Sequence, residues 1–288
     1  MTTARTQTAL AAALAAALAL TTTTLCAQEA ETDKPAPHEL AKQHDEAAEL
    51  AKQLANPIAA LISVPFQNNF DYGAGPTGAG YQYNIHIQPV IPIPLSKEWN
   101  LITRTIFPIV YQNGVIATSS QGGSSDLSVS AWFSPAKSTN GLTWGIGPIF
   151  LFPSASEPLL GTQKWSTGPT AIVLQQRGPW TYGALVFQAW SFAGNKNRQD
   201  VSLLFLQPFL EYTFKTHTTL LLQTESAYDW HNGQWTVPIN LDVSQVLHIG
   251  KQPLSVMIGP RYYADGPRNQ PTWGWRFMVT LMYPEKKH

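Results

Sequence analysis

From Trp273 to Tyr283 the chain places a large apolar residue at every odd position, while the even positions hold Gly274, Arg276, Met278, Thr280 and Met282. Alternation with period two is the mark of a strand, whose successive side chains point to opposite faces. One face is greasy. The other is smaller, more polar and charged near its middle. A sheet of this kind needs apolar surroundings on one side, and the same alternation recurs through most of the chain. The expected surroundings are lipid, and the expected fold is all-β: an antiparallel up-and-down transmembrane β-barrel.

The first residues point to export. Arg5 is the only charge before an Ala/Leu run at 9–20, followed by Thr21 to Thr24 and Leu25-Cys26-Ala27-Gln28. This reads as a signal peptide over 1–27. The run is shorter than the ~20 residues a membrane-spanning helix requires, and no later stretch is longer. Cys26 is the only cysteine, so cleavage after Ala27 leaves no thiol and no disulfide. Lipid modification of Cys26 is the alternative, which Thr23 and Leu25 fit poorly.

Charged residues are 12% of the chain and aromatics 11%; the charged share is about half that of soluble domains. A formal net charge of zero supplies no basic field for nucleic acid. Residues 28–57 differ from the rest. Their polar start leads into an Ala/Glu/Lys/Gln/Leu-rich stretch at 38–54, expected to be a short helix with a thin stripe of Leu40, Ala47, Leu50 and Leu54. Asn56-Pro57 ends it. The segment reads as a periplasmic linker, or as a plug or partner-docking helix.

From residue 58 to 284 the sequence divides into about twelve strands, an even count as single-chain bacterial barrels require. They are expected near 61–72, 81–93, 99–111, 125–134, 142–153, 165–176, 180–192, 201–214, 217–229, 234–246, 253–263 and 272–283, with 285–288 left as a C-terminal tail. The connections 73–80, 112–124, 154–164, 193–200 and 264–271 are mostly longer than 96–98, 177–179 and 215–216, which fits long outer loops and tight inner turns. Two connections break that rule, 230–233 being short and 135–141 long. Aromatics bracket several strands: Trp99 and Tyr111, Trp180 and Trp190, Trp273 and Tyr283. Rings at both ends suit two membrane interfaces. A soluble sandwich or lipocalin-like barrel also alternates, but strands of 11–13 residues match the ~9–11 needed to cross a bilayer better than the ~5–6 of globular sheets.

Parity places Arg104, Glu211, Glu225, Asp242, Arg261 and Arg276 on the inner face, with His86, Gln88, Asn84, Gln207, Gln223 and Asn240. Charges of both signs away from water must pair. They form either a structural ion-pair network filling the barrel or the lining of a narrow polar pathway. Pro89, Pro148, Pro169, Pro208, Pro238 and Pro260 fall inside expected strands, where each removes a ladder hydrogen bond. All but Pro238 lie on the lipid-facing parity. They mark kinks in the wall, read either as bulges that shape the barrel or as a lateral opening.

No catalytic residue is assigned. The seven histidines show no metal-ligand spacing, and a G-x-S-x-G elbow is absent. His86, Ser128 and Ser130 are the residues a membrane-embedded lipid hydrolase would draw on, yet nothing local ties the histidine to a serine. The Gly-rich run 73–80 lacks the Gly-Lys-Ser/Thr ending of a phosphate loop. No cofactor or metal is expected. The expected partners are outer-membrane lipids, small-molecule solutes and, during biogenesis, the barrel-assembly machinery.

Five runs carry a family likeness: Asn56-Pro-Ile-Ala-Ala-Leu-Ile-Ser-Val-Pro-Phe-Gln-Asn-Asn-Phe70, Trp99-Asn-Leu-Ile-Thr-Arg-Thr-Ile-Phe-Pro-Ile109, Trp144-Gly-Ile-Gly-Pro148, Gly161-Thr-Gln-Lys-Trp165 and Trp235-Thr-Val-Pro-Ile-Asn240. Over residues 56–284 the chain resembles an outer-membrane transporter family grouped with proteins of the phenol meta-cleavage pathway and sometimes labelled neuromedin U. The resemblance implies a Gram-negative outer-membrane barrel that takes up small compounds, aromatic ones among them. It supplies no binding residues, so the lumen assignments rest on parity. The expected function is an outer-membrane channel or transporter; a closed structural or partner-docking barrel is the alternative.

Overall fold

The computed structural model describes residues 37–116, 119–250 and 252–284. The expected signal peptide and C-terminal tail lie outside the described residues. One helix, α1 (Pro37–Leu54), precedes fifteen strands. Of the described residues, 37–44 fall in a separate unit, and from Asp45 onward the chain belongs to the barrel unit. No described helix is long and apolar enough to cross a membrane.

The strands are β1 (Ile62–Ala74), β2 (Gly80–Ile87), β3 (Val90–Pro94), β4 (Trp99–Asn113), β5 (Ser120–Ser124), β6 (Leu127–Pro135), β7 (Leu142–Phe152), β8 (Lys164–Arg177), β9 (Trp180–Gly194), β10 (Ser202–Thr213), β11 (Thr218–Thr224), β12 (Ser226–Asp229), β13 (Gln234–Ile249), β14 (Gln252–Asp265) and β15 (Trp273–Tyr283). All pair antiparallel in a single sheet. Three staves are split, β2/β3 at Gln88-Pro89, β5/β6 at 125–126 and β11/β12 at Glu225, so the wall is a closed barrel of twelve staves. Closure comes from β1 against β15, in register from Ile62↔Tyr283 to Tyr72↔Trp273. Such closure leaves no sheet edge.

The expected partition differs from the observed one mainly at 120–124, read from sequence as loop. Ser120-Gln-Gly-Gly-Ser124 carries no apolar side chain, yet it pairs with Ile109–Asn113 of β4, and Gln112 donates to Gln121 at 3.0 Å. Backbone pairing above the apolar band leaves no hydropathy signal.

Burial alternates as the strand period demands. On β15 Gly274, Arg276, Thr280 and Met282 are buried, whereas Trp273, Trp275, Phe277 and Tyr283 are exposed. Among the described residues, forty large apolar or aromatic side chains are exposed, Ile146 and Ile258 at 56% among them, and most lie on the outward parity of the strands. Soluble monomers rarely expose contiguous apolar patches above roughly a few hundred Å². Aromatic pairs cluster near the strand ends: Tyr72 stacks on Trp273 at 4.9 Å and Trp180 meets Tyr212 edge-on at 4.8 Å.

Each proline interrupts one ladder without shifting the strand that carries it, except at Pro238. Pro148 faces Pro169 across β7 and β8, and the β6–β7 pairing skips from Ser130↔Ile149 to Phe133↔Ile146 in constant register. The β8–β9 pairing likewise skips from Thr167↔Trp190 to Thr170↔Phe187 around Pro169, and β13–β14 from Asn240↔Arg261 to Val243↔Ile258 around Pro260. Pro208 keeps its place opposite Ala184, while Pro238 marks a register shift against β14. Pro89 ends the split in the second stave, where its carbonyl accepts from Thr105 N at 3.1 Å. At three of these steps a glycine precedes the proline. A Cβ on Gly147, Gly168 or Gly259 would fall 1.8, 1.8 or 2.2 Å from the carbonyl oxygen of Ala131, Gln188 or Leu241. The neighbouring backbone therefore leans onto the glycine where the proline offers it no donor.

Candidate functional site

The barrel interior has two sides. On one, β1, β14, β15 and the β11/β12 stave bring charges together. Arg276 Nη2 donates to Glu225 Oε2 at 2.7 Å and Nε to Asn69 Oδ1 at 2.9 Å. Arg261 Nη1 donates to the same Asn69 oxygen at 2.7 Å, Nη2 to Tyr263 Oη at 3.2 Å, and Nε lies 3.2 Å from Asp71 Oδ1. Asp242 Oδ2 lies 4.0 Å from Arg276 Nη1. Two guanidiniums thus share one amide oxygen and three carboxylates. Each charge faces one of opposite sign, as groups removed from bulk water require. His86 lies within Coulombic range of Glu225 and of Arg104, Arg261 and Arg276. Both amide atoms of Asn240 and the Thr280 hydroxyl are buried with no hydrogen-bond partner among the described residues, a polarity that suits water.

Across from this network, and reaching round to β11, β14 and β15, the lumen carries an apolar cluster. Ile102, Trp132, Ile172, Leu174, Leu185, Phe209 and Leu221 are buried in one cluster with Val90 and Met257; Phe187, Phe205 and Met278 pack against it. Phe187 and Phe205 stack at 4.9 Å with an interplanar angle of 12°. Trp132 Nε1 donates to Thr170 Oγ1 at 3.2 Å, which satisfies its only polar atom. At roughly 1.5–3 kcal/mol per buried large apolar side chain, this cluster is a main source of interior stability.

The segment from Asp45 to Leu61 fills the end of the barrel where β1 begins and β15 finishes. Ala47, Leu50 and Ala51 are buried with Leu61, Val246 and Met282. Ile58 joins the lumen cluster, its N–H bonded to Asn56 Oδ1 at 3.1 Å. Gln176 Nε2 donates to Lys52 O at 2.8 Å. Above this segment lies a chamber of about 170 Å³ lined by Ala51 to Ala59 in part, Gln67, Gln88, Arg104, Glu211, Glu225 and the apolar Val90, Leu221, Met257 and Met278. Gln88 donates to Gln67 at 3.1 Å and Gln207 to Gln223 at 2.8 Å along its wall.

Of the twelve inner-face residues singled out by parity, Glu225, Arg261, Arg276 and Asp242 come together in the network. Gln88, Gln207, Gln223, Arg104 and Glu211 line the chamber, and His86 lies between the two groups by its electrostatic neighbours. Arg104 and Glu211 make no hydrogen bond or ion pair with the described residues. Sequence reasoning missed Asn69 and Asp71. Their parity on β1 was readable, but Asn68 on the outward parity hid it; its amide donates to Phe66 O and Phe277 O, and it accepts from Tyr83 Oη at 2.7 Å. It missed the apolar side as well, where both faces of a strand are apolar. Among the described residues no group of side chains suits a metal ion, and no hydrogen bond joins His86 to Ser128 or Ser130.

A closed twelve-stave antiparallel barrel with an apolar exterior is the fold of outer-membrane barrels. An outer membrane channel from Pseudomonas putida F1 is similar, with TM-score 0.60 and 12% identity over 77% of this chain and 94% of that one. The NanC porin matches with TM-score 0.50 and 10% identity over 77% of this chain and all of that one. Outer membrane phospholipase A from Escherichia coli reaches TM-score 0.44 at 11% identity over 77% and 92%, too distant to bear on activity. No family model and no curated protein matches the sequence.

Proposed function

We propose that the protein is an outer-membrane channel for small solutes, exported through a cleaved signal peptide and held with its termini on the periplasmic side. The observation that carries this reading is a lumen that holds a charged network, an apolar cluster and a chamber lined by members of both, enclosed by a wall whose exterior is apolar. A purely structural barrel has no use for charged side chains left unpaired beside a cavity, since each costs desolvation. The two channels of like fold support the reading at the level of architecture.

The solutes are small and partly apolar, aromatic compounds among them. The apolar chamber lining at Val90, Leu221, Met257 and Met278 favours ring-bearing molecules, and the resemblance to the family grouped with phenol meta-cleavage proteins points the same way. The segment 45–61 acts as a plug at the periplasmic mouth. Outer-membrane lipid surrounds the barrel and the assembly machinery inserts it. Liposomes containing the purified protein should swell in isotonic solutions of small solutes; liposomes that never swell, although the protein migrates as a heat-modifiable barrel, would favour the closed structural reading.

A further inference from the structure

The chamber contains two ionisable side chains that the lumen network does not hold by a hydrogen bond or ion pair. Arg261 and Arg276 are committed to Asn69, Asp71, Glu225 and Asp242. Arg104, on β4, has no hydrogen-bond or ion-pair partner among the described residues, although it lines the chamber. Glu211, on β10, lines the same chamber and has no charged neighbour among the described residues, whereas Arg104 faces the field of Glu225, whose carboxylate is held by Arg276 at the chamber's edge. Four staves separate β4 from β10 on the short way round the barrel, so the two side chains enter from nearly opposite walls. Apolar surface lies between them: Val90, opposite Arg104 in register; Leu221, opposite Glu211; and Met257 and Met278.

We propose that this chamber is a binding site for single-ring aromatic acids that carry a hydrogen-bond donor at the end of the ring remote from the carboxylate. Arg104 receives the carboxylate, for which its planar fork of donors is suited. Glu211 accepts from the remote hydroxyl or amino group. The ring rests on the methionines, Val90 and Leu221. A volume of about 170 Å³ compares with the ~150 Å³ apolar cavity known to hold benzene. An α-amino acid is a poorer fit, because its two charged groups share one carbon and cannot reach opposite walls. The site deepens the channel reading: it names the solute class that the pathway would carry.

The test is equilibrium binding, by titration calorimetry on the full-length protein in detergent, of 4-hydroxybenzoate, benzoate and phenol. Wild type should bind 4-hydroxybenzoate at least about tenfold more tightly than either of the others, one charge-assisted hydrogen bond being worth that much or more. Arg104→Met should lower 4-hydroxybenzoate to the level of phenol, and Glu211→Met should lower it to the level of benzoate. Equal affinities of the three ligands in wild type, or a preference that survives both substitutions, would overturn the proposal. If a variant fails to fold, the wild-type ranking alone decides. Because binding needs no flux, ranked binding without conductance would retain the site and remove the channel, and conductance without ranked binding would do the reverse.

Discussion

Arg276 Nη2 lies 2.7 Å from Glu225 Oε2, an ion pair that ties β15 to the β11/β12 stave past the two strands between them. Arg276 is 1% exposed and Glu225 22%. Removing Arg276 leaves Glu225 only the longer 3.7 Å contact with Arg261, and breaking a buried pair from one side costs roughly 3–5 kcal/mol. Arg276→Met alone should therefore lower the temperature at which the folded gel form is lost by more than Arg276→Met with Glu225→Met together. A double variant less stable than the single one would contradict the pairing.

Ile258 sits midway along β14 with 56% of its surface exposed. If that surface meets lipid, Ile258→Lys costs about 2–4 kcal/mol near the bilayer midplane. The expected outcome is a reduced folded fraction in urea titrations of the protein in vesicles. A neutral effect would place Ile258 in water.

The Gly-Pro steps give a sharper packing test. Gly168→Ala sets a Cβ 1.8 Å from the Gln188 carbonyl oxygen, which backbone cannot yield cheaply, so the variant should lose a few kcal/mol. Pro169→Ala, by contrast, restores a donor on an exposed position and should leave stability and solute flux near wild type. Register runs unbroken past Pro148, Pro169 and Pro260. Reduced flux of apolar solutes in the alanine variants would instead argue for passage through the wall.

At the loop end, Lys164 Nζ lies 2.7 Å from Asp200 Oδ1 and holds that carboxyl below its ordinary value of 3.8. A depressed carboxylate contributes above its unfolded value and stops contributing as pH falls below it. The clasp is therefore closed at neutral pH and opens only in strong acid. Lys164→Met should speed tryptic cleavage after Lys196 and Arg198 at neutral pH, and high salt should narrow the difference by screening the wild-type pair. Equal cleavage rates at low salt would show that the clasp does not restrain 195–201.

The barrel was legible in the sequence because alternation and strand length are local properties. β15 reads off its own residues. So does the inward placement of Arg261, Arg276, Glu225 and Asp242, since parity carries from one residue to the next. What parity cannot show is which inward groups meet across the lumen: Asn69, the shared acceptor, lies about 200 residues from both arginines in a contact that only closure creates. Nor can it show an apolar interior. Ile172, Val173 and Leu174 are alike in hydropathy, yet only Val173 faces outward. β5 was hidden for a third reason, having backbone partners but no apolar side chains.

The most direct test of the central claim is planar-bilayer conductance of the mature protein beside a form lacking residues 28–57, both verified by heat-modifiable mobility. Ala47, Leu50 and Ala51 pack at the terminal end of the barrel, so the truncated form should show discrete current steps severalfold larger than the intact one. Silence from both forms, correctly folded, would contradict a channel and leave a closed barrel.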